Sequence, residues 1–159
     1  MRLTDIITQA AVALHVHLAG KAHALKYAAA SLGARSGADP ERIREALAQR
    51  EALGSTGIGR GIAVPHVSLA GLDQPYALLC TLAWPIDFEA IDGKPVDLIF
   101  TIVTPPNAGN SANALPYLAA FSRMVREEAV ALALRNADSP LSVCDIVEKF
   151  SPASAQLAS

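Results

Sequence analysis

A glycine-rich loop followed by a single histidine is the part of this sequence best suited to chemistry. Segment 54–66 reads GSTGIGRGIAVPH, with four glycines among its first eight residues. Glycine has no side chain and adopts positive φ readily, so such a loop can bring backbone N–H groups close to a ligand. Donors of this kind suit the oxygens of a phosphoryl group. A histidine beside them, such as His66, can act as the nucleophile.

The spacing alone leaves two other interpretations of this segment open. Gly54 to Gly59 has the G-x-x-x-x-G spacing of a nucleotide-binding loop, but Arg60 and Gly61 stand where Lys and Ser or Thr are required. A plain glycine turn followed by a structural histidine is the other interpretation, since lone histidines have many structural roles.

Arg50 lies four residues before this loop, at the end of a predicted helix. Asp39 and Pro40 form a helix start, because Asp caps the N-terminus and Pro fits the first helical position. The predicted helix runs to about residue 51, and Ile43, Leu47 and Arg50 follow one face. An inward guanidinium needs an acceptor or an anion. The alternatives are a phosphate clamp and a cation that interacts favourably with the C-terminal helix dipole.

The elements around this loop alternate between strands and helices. Strands are predicted over 12–18, 62–64, 75–84 and 96–104. Helices are predicted over 3–10, 20–36 with Gly33 as a stop, 40–51, 126–137 and 140–150, and over a segment with Leu115, Leu118, Ala119, Ser122 and Val125 on one face. Segments 87–95 and 105–111 are predicted loops. This alternation indicates an α/β sandwich with a mixed sheet.

Length and composition predict one globular domain over 1–150, followed by a flexible tail over 151–159. The 159-residue chain is 52% hydrophobic and only 18% charged, which argues against disorder. Its net charge of −2, without a basic run, gives no electrostatic footprint for nucleic acid. No apolar segment approaches the ~18 residues of a membrane helix, and we identify no signal peptide. Cys80 and Cys144 have apolar neighbours and are expected to be reduced and buried, in a cytoplasmic protein.

Two histidines on the first predicted strand raise the question of a metal site. His15 and His17 would share one face of that strand. No third ligand follows at a useful spacing, and His23 qualifies only if the next helix folds back. We therefore predict no metal site and expect hydrogen-bonded or solvated histidines.

The block from Arg50 to His66, with Glu51 and the GSTGIG loop, resembles the active-site signature of fructose/mannitol-type IIA proteins of the bacterial phosphotransferase system. It is most similar to the stand-alone nitrogen-regulatory branch, and weaker similarity runs over residues 3–149. The resemblance implies a three-layer α/β sandwich, in which a mixed sheet of about five strands carries helices on both faces. It also implies that His66 is the phosphorylated nucleophile and that Arg50 stabilises the phosphoryl group.

The resemblance implies a phosphoryl carrier that uses no metal and no cofactor. A phosphorylated HPr-like protein would supply the group, and Ser55, Thr56 and Gly57 would bind its oxygens. Since the sequence shows no IIB or membrane IIC segment, we expect a regulator acting on target proteins, without a membrane span. A sugar-specific IIA subunit that passes phosphate to a IIB protein is one alternative. A binding module that has lost transfer is another.

One position departs from the family pattern. Family members usually carry a second active-site histidine at the start of the helix after the 105–111 loop, and that position is Ala114 here. Methyl groups neither donate nor accept hydrogen bonds, so Ala114 cannot contact a phosphate as a histidine would. Only Ser111, Asn113 or Tyr117 could substitute. We therefore expect slow onward transfer and a long-lived phosphorylated form.

Overall fold

The computed structural model describes residues 2–106 and 114–150. The predicted tail, part of the predicted 105–111 loop, Ser111 and Asn113 lie outside these ranges. The strands are β1 Val12–Val16, β2 Gly57–Gly59, β3 Ile62–Ala63, β4 His66–Ser68, β5 Tyr76–Ile86 and β6 Val96–Thr104. The α-helices are α1 Leu3–Ile6, α2 Lys21–Ser36, α3 Pro40–Ala52, α4 Ala114–Arg126, α5 Glu128–Arg135 and α6 Pro140–Phe150, with a 3-10 helix at Gln9–Ala11.

The strands form one mixed sheet. Its order is β1-β5-β6-β3-β2, and β4 also pairs with β6. β5 runs antiparallel to β6, whereas β1 is parallel to β5, and both β3 and β4 are parallel to β6. β2 lies at the end of this order opposite to β1 and runs antiparallel to β3. The predicted mixed sheet is therefore confirmed.

β3 and β4 occupy a single position in that sheet, end to end along β6. Ile62 pairs with Leu98 and His66 pairs with Ile102, so the offset of 36 residues is unchanged across the gap. The interruption falls at Pro65, which has no N–H to give to a strand ladder. Its carbonyl still accepts a hydrogen bond from the Ile102 N–H, at 3.0 Å. About five strands were predicted, and the described residues form six, two of which share one position in the sheet.

Helices cover both faces of the sheet, as predicted for three layers. Alternate residues of β6 point to opposite faces: Leu98, Phe100 and Ile102 pack in one buried cluster, with α1, α4, α5 and α6. Ile99 and Val103 pack in the other, with α2 and α3. Each face of the sheet therefore has its own apolar core.

The predicted stop at Gly33 is wrong. α2 continues to Ser36, and Gly37 ends it with a φ of 80°. Gly33 instead allows α3 to approach closely, because a Cβ there would lie 2.7 Å from Cγ of Pro40. The predicted start of α3 is confirmed, since the Asp39 side chain accepts a hydrogen bond from the Glu41 N–H.

The predicted inward face of α4 is wrong in part. Leu115 is 64% exposed, whereas Phe121 and Met124 are fully buried. The buried residues are Ala114, Tyr117, Leu118, Phe121, Met124 and Val125. Phe121 stacks on Phe100 of β6 with ring centroids 4.4 Å apart, and this contact sets the rotation of the helix. The packing of Phe121 against Phe100 of the sheet, and not the spacing of Leu115 and Leu118 in the sequence, therefore decides which face of α4 is buried.

Candidate active site

His66 is the first residue of β4, directly after Pro65. Its half-buried imidazole places Nδ1 2.8 Å from the carbonyl oxygen of Val64. A carbonyl can only accept, so Nδ1 carries the proton and donates it in this contact. The neutral ring then has its lone pair on Nε2, and His66 can act as a nucleophile through that atom.

The imidazole opens into a cavity of about 500 Å³ between α3, β4 and α4. Helices α3 and α4 both contact β4, and β6 is the strand that pairs with β4 in the described part of the chain. The cavity is lined by Ala46, Gln49, Arg50, Leu53, His66, Val67, Ser68, Ala114 and Leu115. Leu53 and Leu115 are 86% and 64% exposed, so the rim is apolar and accessible to another protein.

Arg50 lines the same cavity as His66. Arg50 is half-buried, and its Nη1 donates to the Gly54 carbonyl at 2.9 Å. Since a guanidinium has five N–H donors, this contact leaves donors for an anion. Arg50 is also in the last turn of α3, where a cation is favourable. Both interpretations of Arg50 are compatible with its position, and its role as a phosphate clamp stays a prediction.

The predicted phosphate-binding residues of the loop make contacts within the protein. Ser55 Oγ donates to the Phe88 carbonyl at 2.7 Å and accepts from the Gly57 N–H at 3.0 Å. The Thr56 N–H and hydroxyl both donate to Glu51. None of Ser55, Thr56 and Gly57 lines the cavity. Their binding of phosphate stays a prediction, and it requires these donors to exchange partners.

Sequence reasoning assigned no role to Glu51, which the structure buries beneath the loop. Glu51, and not Arg50, continues the buried stripe of Ile43 and Leu47, with 7% of its surface exposed. Its carboxylate accepts from Thr56 and lies 2.9 Å from the Nζ of Lys21, the first residue of α2. The signal in the sequence was an acid inside the signature block, on a helix face that is otherwise apolar.

Ala114 is the residue at the position that the resemblance gives to a second histidine. It is 8% exposed and lines the same cavity as His66. Tyr117 packs in the same apolar cluster as Ala114 but does not line the cavity, so it does not replace a second histidine there. Gln49 and Ser68 are polar cavity residues that sequence reasoning missed, and Ser68 Oγ lies 3.4 Å from the Thr104 hydroxyl.

The two histidines of the first strand region have separate partners. His15 has a φ of 54° at a register shift in β1, and its Nε2 lies 3.1 Å from the Ala137 carbonyl. His17 accepts a hydrogen bond from the Trp84 indole at 3.1 Å. Each imidazole is therefore engaged with a different part of the protein.

Residues 5–150 match the family described as phosphoenolpyruvate-dependent sugar phosphotransferase system, EIIA 2. The chain belongs to this family. Among its relatives is the nitrogen regulatory protein of Bradyrhizobium diazoefficiens, 38% identical over 135 residues, which cover 85% of this chain and 87% of that protein. The nitrogen regulatory protein of Escherichia coli is 30% identical over 92% of this chain and 90% of its own length. The resemblance seen in the sequence is thus confirmed.

Solved structures agree with this assignment. The nitrogen regulatory protein IIA-Ntr of Neisseria meningitidis superposes with a TM-score of 0.81 at 29% identity, covering 91% of this chain and 98% of that one. IIA mannitol of Escherichia coli shares the fold, with a TM-score of 0.72 at 20% identity over 87% of this chain and 96% of that one. Among the described helices, none is long and apolar enough to cross a membrane.

Proposed function

We propose that this chain is a phosphoryl carrier that accepts a phosphoryl group on Nε2 of His66. The observation that carries the proposal is the contact between Nδ1 of His66 and the Val64 carbonyl, because it leaves the Nε2 lone pair available. Family membership supports phosphoryl transfer as the reaction. A phosphorylated HPr-like protein is the proposed donor, and its docking surface is the apolar rim of the cavity.

The transfer is a displacement at phosphorus. The Nε2 lone pair of His66 forms the new N–P bond, while the bond between phosphorus and the donor's histidine breaks and returns its electron pair to the donor's ring. The Nδ1 proton stays in its hydrogen bond to Val64, which stabilises the positive charge that the ring gains. Arg50 opposes the negative charge on the phosphoryl oxygens. The reaction needs positioning and electrostatics, and no metal or nucleotide.

The phosphorylated and free forms would then bind target proteins differently in the cytoplasm. A phosphate adds about −1.5 to −2 charges at one spot, which is sufficient to form or disrupt an interface. Several relatives carry the name nitrogen regulatory protein, which favours a regulatory role over sugar transport.

Incubation with phosphoenolpyruvate, enzyme I and an HPr-like carrier, followed by intact mass measurement, tests this proposal. We expect one phosphate, labile in acid and stable in base. His66→Ala should not be labelled. His17→Ala, which removes an exposed imidazole elsewhere, should be labelled like the wild type. A phosphate that persists in His66→Ala would show that the acceptor is another residue.

A sugar-specific role is the second candidate. The fructose-specific EIIA component of Haloferax volcanii is 35% identical over 69% of this chain and 70% of that protein. Such a subunit would pass its phosphate to a IIB protein. Rapid discharge of the phosphorylated chain by a IIB protein would favour this candidate over the regulatory one. A chain that keeps its phosphate in that assay would favour the regulator.

A further inference from the structure

A continuous series of hydrogen bonds connects the interior of the protein to the imidazole of His66. The Thr56 carbonyl accepts from the Val64 N–H at 2.9 Å, and the Val64 carbonyl contacts Nδ1 of His66 at 2.8 Å. On its other side, Thr56 donates its N–H to Glu51 at 3.2 Å and its hydroxyl to the same carboxylate. The series therefore begins at Glu51 in helix α3 and ends at His66 in strand β4.

Glu51 is fixed more firmly than a surface carboxylate. Its side chain is 4% exposed, and Lys21 Nζ lies 2.9 Å away with a side chain that is 16% exposed. Lys21 also lies 5.0 Å from the centroid of the Phe88 ring. A buried carboxylate is stable only when it is paired and hydrogen-bonded, so Glu51 requires both Lys21 and Thr56. These three residues, here called the Glu51 anchor, join α2, the end of α3 and the glycine loop.

The connection reaches His66 through an unusual carbonyl. The Val64 carbonyl belongs to the peptide bond with Pro65, which has no N–H. The nitrogen of this peptide group therefore has no hydrogen to donate, and no hydrogen bond from it can fix the orientation of the group. Its orientation depends on the contacts on either side: Val64 N–H to Thr56, and the Pro65 carbonyl to the Ile102 N–H at 3.0 Å. Thr56 thus supplies one of the two backbone contacts that flank the acceptor of His66.

We infer that Glu51 and Thr56 are positioning residues that select the Nδ1–H tautomer of His66. The Glu51 anchor holds the Thr56 backbone, Thr56 holds Val64, and the Val64 carbonyl holds the proton on Nδ1. Loss of the carboxylate releases the loop, the Val64 contact weakens, and the proton redistributes between the two ring nitrogens. Only the Nδ1–H form presents a lone pair at Nε2, so nucleophilicity falls with its population. The inference rests on the proposed function for its kinetic consequence, but not for its structural one.

The test is the tautomer of His66, measured by ¹⁵N–¹H correlation of the imidazole in the full chain. The spectra are recorded at alkaline pH. His66→Ala assigns the signal. Glu51→Leu removes the carboxylate, and Thr56→Val removes only the hydroxyl arm while it preserves shape. Glu45→Leu is the matched control, because Glu45 is an exposed acid on the same helix.

We expect wild type and Glu45→Leu to show a protonated Nδ1 and an unprotonated Nε2. Glu51→Leu should show an exchange-averaged mixture. Its maximal rate of phosphorylation should fall by the same factor as the measured population of the Nδ1–H form, with little change in the KM for the donor. Thr56→Val should change both quantities in the same direction by a smaller factor.

A folded Glu51→Leu variant with the wild-type tautomer and rate would overturn the inference and leave Glu51 a purely structural residue. If Glu51→Leu does not fold, Thr56→Val decides: an unchanged tautomer overturns the inference, and a shifted one supports it. If the wild type is never phosphorylated, the proposed function fails, but the tautomer measurement still tests whether the anchor positions His66.

Discussion

Arg50 donates a hydrogen bond to the carbonyl of Gly54. Its contribution to phosphate binding can be measured by substitution. Arg50→Ala should slow phosphorylation of His66 about tenfold to hundredfold, since it removes a charge-assisted contact worth ~1.5–3 kcal/mol. Arg50→Lys should restore only part of the rate, because the ammonium lacks the planar fork of donors. Rapid-quench kinetics with a phosphorylated HPr-like donor measure both.

Arg42→Ala is the matched control, because Arg42 is an exposed arginine on the same helix. If Arg50→Ala reacts as fast as the control, Arg50 serves only the C-terminus of α3.

Ala114 allows a gain-of-function test at the same cavity. Ala114→His would place a donor on the wall of the cavity that His66 also lines and should accelerate onward transfer. One new hydrogen bond to the transferring group is worth ~1–3 kcal/mol in the transition state. Single-turnover transfer back to the carrier gives the rate. Ala114→Leu fills similar space without a ring nitrogen and should give no acceleration. Equal rates in all three proteins, as fast as a transport relay, would contradict a slow, regulatory discharge.

At the residue scale, the sequence indicates the loop and His66 but not which of the neighbouring side chains are buried. The sequence predicts that a short strand ends at Pro65 just before His66, whereas the structure makes His66 the first residue of a further strand, β4. Arg50 and Glu51 were harder, because positions seven and eight after Ile43 both fall near one face of a helix. Which of them is buried depends on Lys21 and Thr56, partners that come from other elements. No local pattern contains that information.

At the element scale, the contact between α2 and α3 depends on one missing methyl group. A Cβ on Gly33 would lie 2.7 Å from Pro40 Cγ and 2.9 Å from the Ala38 carbonyl oxygen. Gly33→Ala should therefore lower the free energy of unfolding by ~1–3 kcal/mol, the usual cost of overpacking. Urea denaturation measures it.

The matched control is Gly20→Ala. Gly20 precedes α2 with an extended φ of 174°, and nothing lies within 4 Å of its added Cβ. Gly20→Ala should lower the free energy of unfolding by less than about 1 kcal/mol, because only the residue preference at the N-cap changes. If both variants are equally stable, α2 and α3 separate at no cost and the close contact is unimportant.

The end of α2 was predicted wrongly from the sequence for an identifiable physical reason. Glycine inside a helical pattern usually signals an end, and Gly33 was interpreted in that way. Its neighbour in space is Pro40, from the next helix, so its cause is tertiary packing. Asp39, whose capping contact is two residues away, was predicted correctly. Local signals were reliable when their partners were local.

At the scale of the whole molecule, Cys80 reports on global opening. The thiol is buried in the cluster that packs against α2 and α3, and burial raises its pKa to about 12. At pH 8 only about one Cys80 thiol in ten thousand is then ionised, so alkylation requires unfolding. Cys144, which is half-buried and has a pKa that burial raises less far, should react first.

Counting free thiols against time in native buffer and in urea checks this order. The Cys80→Ser and Cys144→Ser variants identify which thiol each phase reports. Rapid native labelling of Cys80 would mean that the sheet opens locally without global unfolding.

The raised pKa of Cys80 also makes the free energy of unfolding depend on pH. The folded state holds the Cys80 proton more tightly than the unfolded state does. This group's contribution to stability is therefore complete below pH 9 and is lost as the pH rises toward 12.

The order of strands and helices along the chain was sufficient for the three-layer arrangement, because each layer needs an apolar face and the sequence shows those faces. The number of strands could not be predicted from the apolar faces of the sequence in the same way. β3 and β4 are short and share one sheet position, and only their pairing with β6 reveals this.

The position of β4 in the sheet has a consequence for self-association, because β6 is the strand that pairs with it in the described part of the chain. An unpaired strand edge can recruit a strand from another copy of the chain and begin aggregation. Under the proposed function, a donor protein reaches His66 through the cavity beside β4, so this region stays uncovered. The chain limits the hazard in other ways: β4 is three residues long, Pro65 precedes it, and α3 and α4 contact it. Solubility and access to His66 are therefore set by the same short strand, and substitutions that extend β4 are expected to reduce both.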